Sequence, residues 1–169
     1  TLISGPSNLQ DPYGAKVVRV QTAAQMASAV FEHFEHVDII VKSAAVSDYR
    51  PRDIRSEKMK KEKNEMVLNL VRNQDILAEI GQQKGDRFLV GFAAETEALD
   101  QNATKKLSKK NLDMIVGNIG KGQDSAFGSD TNRASLYYRD GTPETLPMMD
   151  KESLAHSLLD RIVERRNKL

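Results

Sequence analysis

Short, nearly continuous runs of apolar and β-branched residues alternate along this chain with longer amphipathic stretches, and that alternation confines it to the α/β class. Runs this short and this apolar suit strands buried on both faces, as inside a parallel sheet flanked by helices. Lys16–Val20 predicts a strand, and Val37–Val41 predicts the next. Between them Thr22–Glu35 predicts a helix with Ala23, Met26, Ala27, Val30, Phe31 and Phe34 on one face and Thr22 as its N-cap. Met66–Val71 alternates apolar with polar and predicts a strand, Asp75–Gln83 a short helix whose exit Gly81 and Gly85 bracket, and Arg87–Phe92 a buried strand. Thr96–Lys110 reads as a lysine-rich helix with Ala98, Leu99, Ala103 and Leu107 inward, and Leu112–Val116 as a strand ended by Gly117-Asn118. Lys121–Asn132, rich in Gly, Ser and Asp, is the loop of the sequence. Ala134–Arg139, the turn Asp140-Gly141 and Leu146–Met149 predict a hairpin at the sheet edge. Asp150 caps a last helix to about Asn167, with Leu154, Leu158, Leu159, Ile162 and Val163 facing inward. The expected architecture is one domain over residues 1–169, a doubly wound, mostly parallel sheet with an antiparallel edge.

Sheets of this kind bind ligands at the carboxyl ends of their strands. Ala44-Ala45, Ala93-Ala94 and Asn118 stand at three such exits, where small residues serve either tight packing or the close approach of a ligand. From Ser43 to Lys61 the chain has a small-residue strand end, a carboxylate at Asp48 and the lysines 58, 60 and 61. That layout suits a polyphosphate, with Asp48 on a divalent cation and the lysines neutralising phosphate charge; a loop followed by a solvated basic run is the alternative. The 25 Lys and Arg against 24 acids, a net charge of +1, argue against a general nucleic-acid surface. With no cysteine there is no thiol nucleophile and no zinc–thiolate site, which suits a reducing compartment. No apolar run approaches the roughly 20 residues that cross a bilayer, and no signal-peptide pattern opens the chain, so no membrane partner and a cytoplasmic location are expected. His33 and His36 lie near Glu32 and Glu35 without a third ligand, and the metal ligands stay unknown at this level.

Four blocks together carry a family resemblance: residues 44–50 (AAVSDYR), 57–61 (EKMKK), 91–96 (GFAAET) and 109–118 (KKNLDMIVGN). They resemble the synthetase domain of the bacterial bifunctional coenzyme A biosynthesis protein, phosphopantothenate–cysteine ligase. Ile3-Ser4-Gly5-Pro6 and the segment 72–77 (RNQDIL) fit the same pattern, so the resemblance covers essentially the whole chain. It implies a Rossmann-like sheet and a CTP-dependent ligation of 4′-phosphopantothenate with L-cysteine through an acyl cytidylate, releasing pyrophosphate and CMP. It implies Mg²⁺ as cofactor, CTP as substrate, and FMN only if a decarboxylase domain lies upstream. Carried over position by position, Ser43, Ala44, Ala45 and Asp48 would form the nucleotide floor, Gln74, Asp75, Ile76 and Leu77 a turn against the nucleotide, and Phe92 a neighbour of its base or ribose. Lys106 and Lys110 match lysines that contact CTP. Lys58 matches the catalytic lysine, on a flap that reaches the partner subunit's site, so a homodimer with a shared active site is implied.

Gln74 stands where many members carry proline. The family pattern also begins with a strand, a Gly-rich loop and a helix upstream of what is Thr1 here, so the resemblance implies that this first βα unit is missing and the domain is N-terminally truncated. Two other readings compete. A dinucleotide-binding oxidoreductase would show a Gly-x-Gly-x-x-Gly fingerprint and a lysine four residues after Tyr49, where Asp53 stands. A non-catalytic nucleotide-binding dimerisation module would keep the fold without the flap chemistry.

Overall fold

Helix α1 (Ala23–Phe34) begins where the sequence puts its cap. Thr22 Oγ1 accepts the Gln25 N–H at 3.1 Å and Gln25 Oε1 accepts the Thr22 N–H at 3.0 Å, a reciprocal box that satisfies two orphan donors. The computed structural model describes residues 1–54, 57, 65–95, 99–119, 129–141 and 143–168. Contacts divide the chain into two units, Thr1–Glu35 with Ala45–Ile76, and His36–Ala44 with Leu77–Leu169.

In the first unit β1 (Leu2–Ser4) and β2 (Val17–Arg19) pair in parallel, with Leu2 opposite Val17. Helix α1 lies against β1 and buries Met26, Ala27, Ala29 and Phe34; the Phe31 and Phe34 rings meet edge to face at 6.1 Å. β3 (Ile39–Lys42) belongs to the second unit. Back in the first, β4 (Tyr49–Pro51) and β5 (Leu70–Arg72) form an antiparallel ribbon with Arg50 opposite Val71. The strand expected from Met66 therefore begins only at Leu70, and Met66 and Val67 are 68% and 86% exposed. The pairing reaches one bond further, the Arg52 N–H donating to Asn69 O at 2.8 Å, and Met66, Val67 and Leu68 lie beyond it.

The second unit holds a sheet of order β10-β9-β7-β6-β3. β3, β6 (Phe88–Glu95) and β7 (Met114–Ile119) are parallel, while β9 (Ala134–Tyr138) and β10 (Glu144–Thr145) make the expected antiparallel edge. A separate ribbon joins β8 (Thr131–Asn132) to β11 (Met149–Asp150), so Met149 leaves the predicted hairpin and pairs with Asn132. Among the described residues α1 is followed by the helices α2 (Ile76–Gln83), α3 (Leu99–Lys109) and α4 (Lys151–Arg166). One face of the sheet, with Phe88, Val90, Met114, Val116, Ala134 and Leu136, packs against Leu154, Leu158 and Ile162 of α4. Each such aliphatic side chain contributes about 1.5–3 kcal/mol on burial. The other face carries Gly91 against Leu77 and Leu112, and Tyr137 bonded to Asp100 of α3.

Two expectations of burial fail for geometric reasons. β3 has only β6 beside it in this sheet, and Ile39 and Val41 are 37% and 46% exposed. On α4 the inward line runs at fourfold spacing through Leu154, Leu158 and Ile162, and Leu159 and Val163, one position further round, are more than half exposed. Asp150 caps α4 as predicted, accepting the Ser153 N–H at 2.8 Å.

The amino end of the sheet is held by a polar lock. Helix α3 ends with Asn111 in the left-handed region (φ 52°) and the Leu112 N–H returning to the Leu107 carbonyl at 2.9 Å. The Leu112 bond keeps that residue in the helix exit, the Asp113 N–H already donates to Leu89 O at 2.9 Å, and β7 runs from Met114 past Gly117 to Ile119. The buried Asp113 carboxylate accepts from Lys84 Nζ at 2.6 Å through both oxygens and from the Leu89 N–H at 2.8 Å. Asn111 Nδ2 donates to Gly81 O at 2.7 Å, and a Cβ on Gly81 would sit 1.8 Å from the Lys110 carbonyl oxygen. Only glycine permits that approach.

Candidate functional site

In the first unit the β4–β5 ribbon joins two segments that are distant in sequence, Tyr49 pairing with Arg72 and Pro51 with Leu70. The Asn73 N–H donates to Asp48 O at 2.8 Å, and Asn73 Nδ2 donates to Ser47 O at 2.8 Å, a contact spanning 26 positions. Ser47 and Asp48 are thereby set beside the turn that leads through Gln74 and Asp75 to Ile76. Asp48 is exposed, Ile76 is 2% exposed, and the Arg72 guanidinium lies 5.9 Å from the centre of the Tyr49 ring. The ribbon thus presents one carboxylate with arginine nearby, an arrangement suited to a cation–phosphate pair.

In the second unit Ser43 and Ala44 follow β3 directly and are exposed, and Lys42 Nζ folds back to donate to Ala44 O at 2.8 Å. β3 ends with Lys42 opposite Gly91, so Ser43 leaves the sheet next to the level of Phe92. Leu77 packs on Gly91; a Cβ there would lie 2.9 Å from Leu77 Cδ2. Phe92 is half-buried and packs, with Met149, on the core cluster beneath α4. The exit of β3, Leu77 and Phe92 therefore stand at one level in the carboxyl half of the parallel strands, Leu77 on the Gly91 face and Phe92 on the face covered by α4. Lys106 and Lys110 do not. α3 leaves from the carboxyl end of β6 and its last turn enters β7 at Met114, so both lysines lie toward the amino end of that strand.

Lys58, together with residues 60 and 61 of the predicted flap, lies outside the described residues. Ala93 and Ala94 are inside β6 rather than beyond it. Among the described residues no three His, Cys, Asp or Glu side chains gather as a metal site, and His33 Nδ1 donates within its own helix to Ala29 O at 3.0 Å. Among the described residues no helix is long and apolar enough to cross a membrane.

Among the described residues, several titratable groups with displaced pKa values belong to the β9–β10–α4 corner. Arg161, donating from Nε and Nη2 at 2.7–3.0 Å, holds the Glu144 carboxyl below the usual carboxylate range. Burial first, then Glu144, pushes the Tyr138 hydroxyl up to about 12, and the Arg165 guanidinium stacks 4.0 Å from that ring's centre. Burial and its bond to Asp100 push Tyr137 up to about 12. These groups fasten the sheet edge to its helices.

One polar pair at the carboxyl end had only half a signal in the sequence. Asn118, noted as a strand exit, accepts from Asn132 Nδ2 at 3.1 Å; Asn132, read as the end of a loop, is 4% exposed and its Oδ1 has no hydrogen-bond partner among the described residues.

The description "DNA/pantothenate metabolism flavoprotein C-terminal domain" matches residues 1–165. The chain is 44% identical over 162 residues to the coenzyme A biosynthesis bifunctional protein CoaBC of Bacillus subtilis, covering 95% of this chain and 40% of that protein. The Escherichia coli K12 protein of the same name is 40% identical over 169 residues, covering 98% of this chain and 41% of its own length. The crystal structure of the C-terminal domain of a CoaBC protein superposes with a TM-score of 0.79 at 37% identity, over 95% of this chain and 71% of that one. The chain thus spans about two fifths of the length of these bifunctional relatives.

Proposed function

The chain belongs to the DNA/pantothenate metabolism flavoprotein C-terminal domain family, and from that premise we propose that it is a ligase domain of coenzyme A biosynthesis, joining 4′-phosphopantothenate to L-cysteine with CTP. The observation that carries the reading is the contact of Asn73 with Ser47 and Asp48, because it draws into one place two segments that the resemblance assigns to the nucleotide. A carboxylate is a poor acceptor for an amine, since its oxygen is a very poor leaving group. In the proposed sequence the phosphopantothenate carboxylate attacks the α-phosphate of CTP and expels pyrophosphate. The cysteine amine then adds to the acyl carbon, loses a proton and displaces CMP, leaving an amide.

Each residue's part follows from its chemistry. The exposed strand end Ser43-Ala44 lets the backbone approach the nucleotide. Phe92 offers an aromatic surface to the base. The Asp48 carboxylate with the triphosphate fits the way Mg²⁺ is held, by one or two carboxylates plus substrate phosphates. Bound there, Mg²⁺ would neutralise phosphate charge. Lys58 is proposed to stabilise charge developing at the α-phosphate from the partner subunit's side, in a homodimer. Lys106 and Lys110 are carried as CTP contacts by resemblance alone.

The test supplies the full-length protein with 4′-phosphopantothenate and CTP, ATP or UTP, withholds cysteine, and looks for the acyl nucleotide by mass spectrometry. Acyl cytidylate is expected, and Lys58→Gln should abolish pyrophosphate release while CTP still binds. A full-length protein that forms no cytidylate refutes the reading.

A further inference from the structure

Asn132 donates from Nδ2 to Asn118 Oδ1 at 3.1 Å, and its own Oδ1 is buried without a hydrogen-bond partner. Buried acceptors are almost always satisfied in native proteins, so one left bare among the described residues, at the carboxyl end of a parallel sheet, calls for a donor. Its neighbours say what kind of molecule would bring that donor. Asn118 is opposite Ala94 in register, and Phe92, two residues earlier on β6, lies on the same face. Met149 is the direct cross-strand partner of Asn132 and packs on the same core cluster as Phe92. An aromatic face, a thioether and a carboxamide pair thus meet at one corner of the second unit. A planar ring lying on Phe92 would turn its polar edge to the carboxamides.

The polarity of that edge is set by the bond between the two asparagines. With Nδ2 committed to Asn118, Asn132 offers the ring an acceptor, and an acceptor takes an N–H. The exocyclic amine at C4 of cytosine supplies one; the carbonyl oxygen at C4 of uracil would set lone pair against lone pair. We infer that Asn132 is a specificity-determining residue that selects an amino-bearing pyrimidine over its carbonyl counterpart, and that Asn118 is the positioning residue that orients it. The inference rests on the CTP-ligase reading and deepens it.

The experiment measures initial rates of acyl-nucleotide formation by the full-length protein with CTP and with UTP, without cysteine. Asn132→Leu should lower the CTP-over-UTP preference by about tenfold or more, because the acceptor is gone. Asn118→Ala should lower the preference as well, and it decides the matter if Asn132→Leu does not fold. An equal loss of rate with both nucleotides, as a structural role would give, or an unchanged preference in folded variants, overturns the inference while the parent's cytidylate leaves the ligase reading standing. A parent that forms no acyl nucleotide with any triphosphate overturns both.

Discussion

Asp113→Ala should be among the most damaging single changes to the second unit. The carboxylate takes both bonds of Lys84 Nζ at 2.6 Å and the Leu89 N–H at 2.8 Å, and the side chains of Lys84 and Asp113 are only 11% and 7% exposed. Removing one partner of a buried ion pair costs about 3–5 kcal/mol, because the other charge stays behind. The orphaned Leu89 N–H accounts for about 1–3 kcal/mol of that sum. Arg139 Nε lies 3.5 Å from the same carboxylate but is half exposed and can turn to water, so it adds little. At about 2–4 °C per kcal/mol for a chain of this size, the midpoint of thermal unfolding should fall by about 6–20 °C. Urea unfolding followed by far-ultraviolet circular dichroism gives the free energies for Asp113→Ala, Lys84→Met and the double variant. The double variant should be more stable than the sum of the single losses predicts, by about 0.5–3 kcal/mol, since Lys84→Met removes the stranded charge. A loss below about 1 kcal/mol for Asp113→Ala, or strict additivity in the cycle, would refute the assignment of this pair as a buried lock.

Gly81→Ala should destabilise by at least about 1–3 kcal/mol, since its Cβ would stand 1.8 Å from a backbone oxygen that no rotamer change can move; a melting point equal to the parent's would count against that packing. The lowered Glu144 pKa contributes stability that is present above the ordinary glutamate range and lost as pH falls through the lowered value, so Glu144→Gln should flatten the acid limb of a stability–pH profile. Tyr138 carries the opposite sign: its raised pKa adds stability that is full below about 10 and lost toward about 12, and Tyr138→Phe should remove a late step from the tyrosinate absorbance titration of the native protein. Lys106→Gln with Lys110→Gln tests the contact carried by resemblance; loss of two phosphate contacts should raise the Kd for CTP about tenfold or more by calorimetry, and an unchanged Kd takes both lysines out of the site.

What the sequence determined by itself is what depends on near neighbours along the chain. Thr22 and Asp150 cap their helices as expected, because a cap is a contact between residues three apart. The parallel strands and antiparallel edge follow from hydrophobic periodicity, and the family blocks are contiguous strings. The inward faces of α1 and α3 were legible for the same reason, with Met26, Ala27, Ala103 and Leu107 buried. Tertiary structure decided the rest. Leu159 and Val163 are as apolar as their neighbours, but only the position of the sheet against α4 says which stripe it covers. Val41 reads as a core strand residue and is exposed, since the number of strands beside β3 is not written within β3. The meeting of Asp48 with Asn73, and the bare acceptor of Asn132 beside Asn118, depend on hydrogen bonds between residues 14 or more apart. Periodicity assigns a residue to an element and a face; which distant polar groups come within 3 Å is settled only when the elements pack.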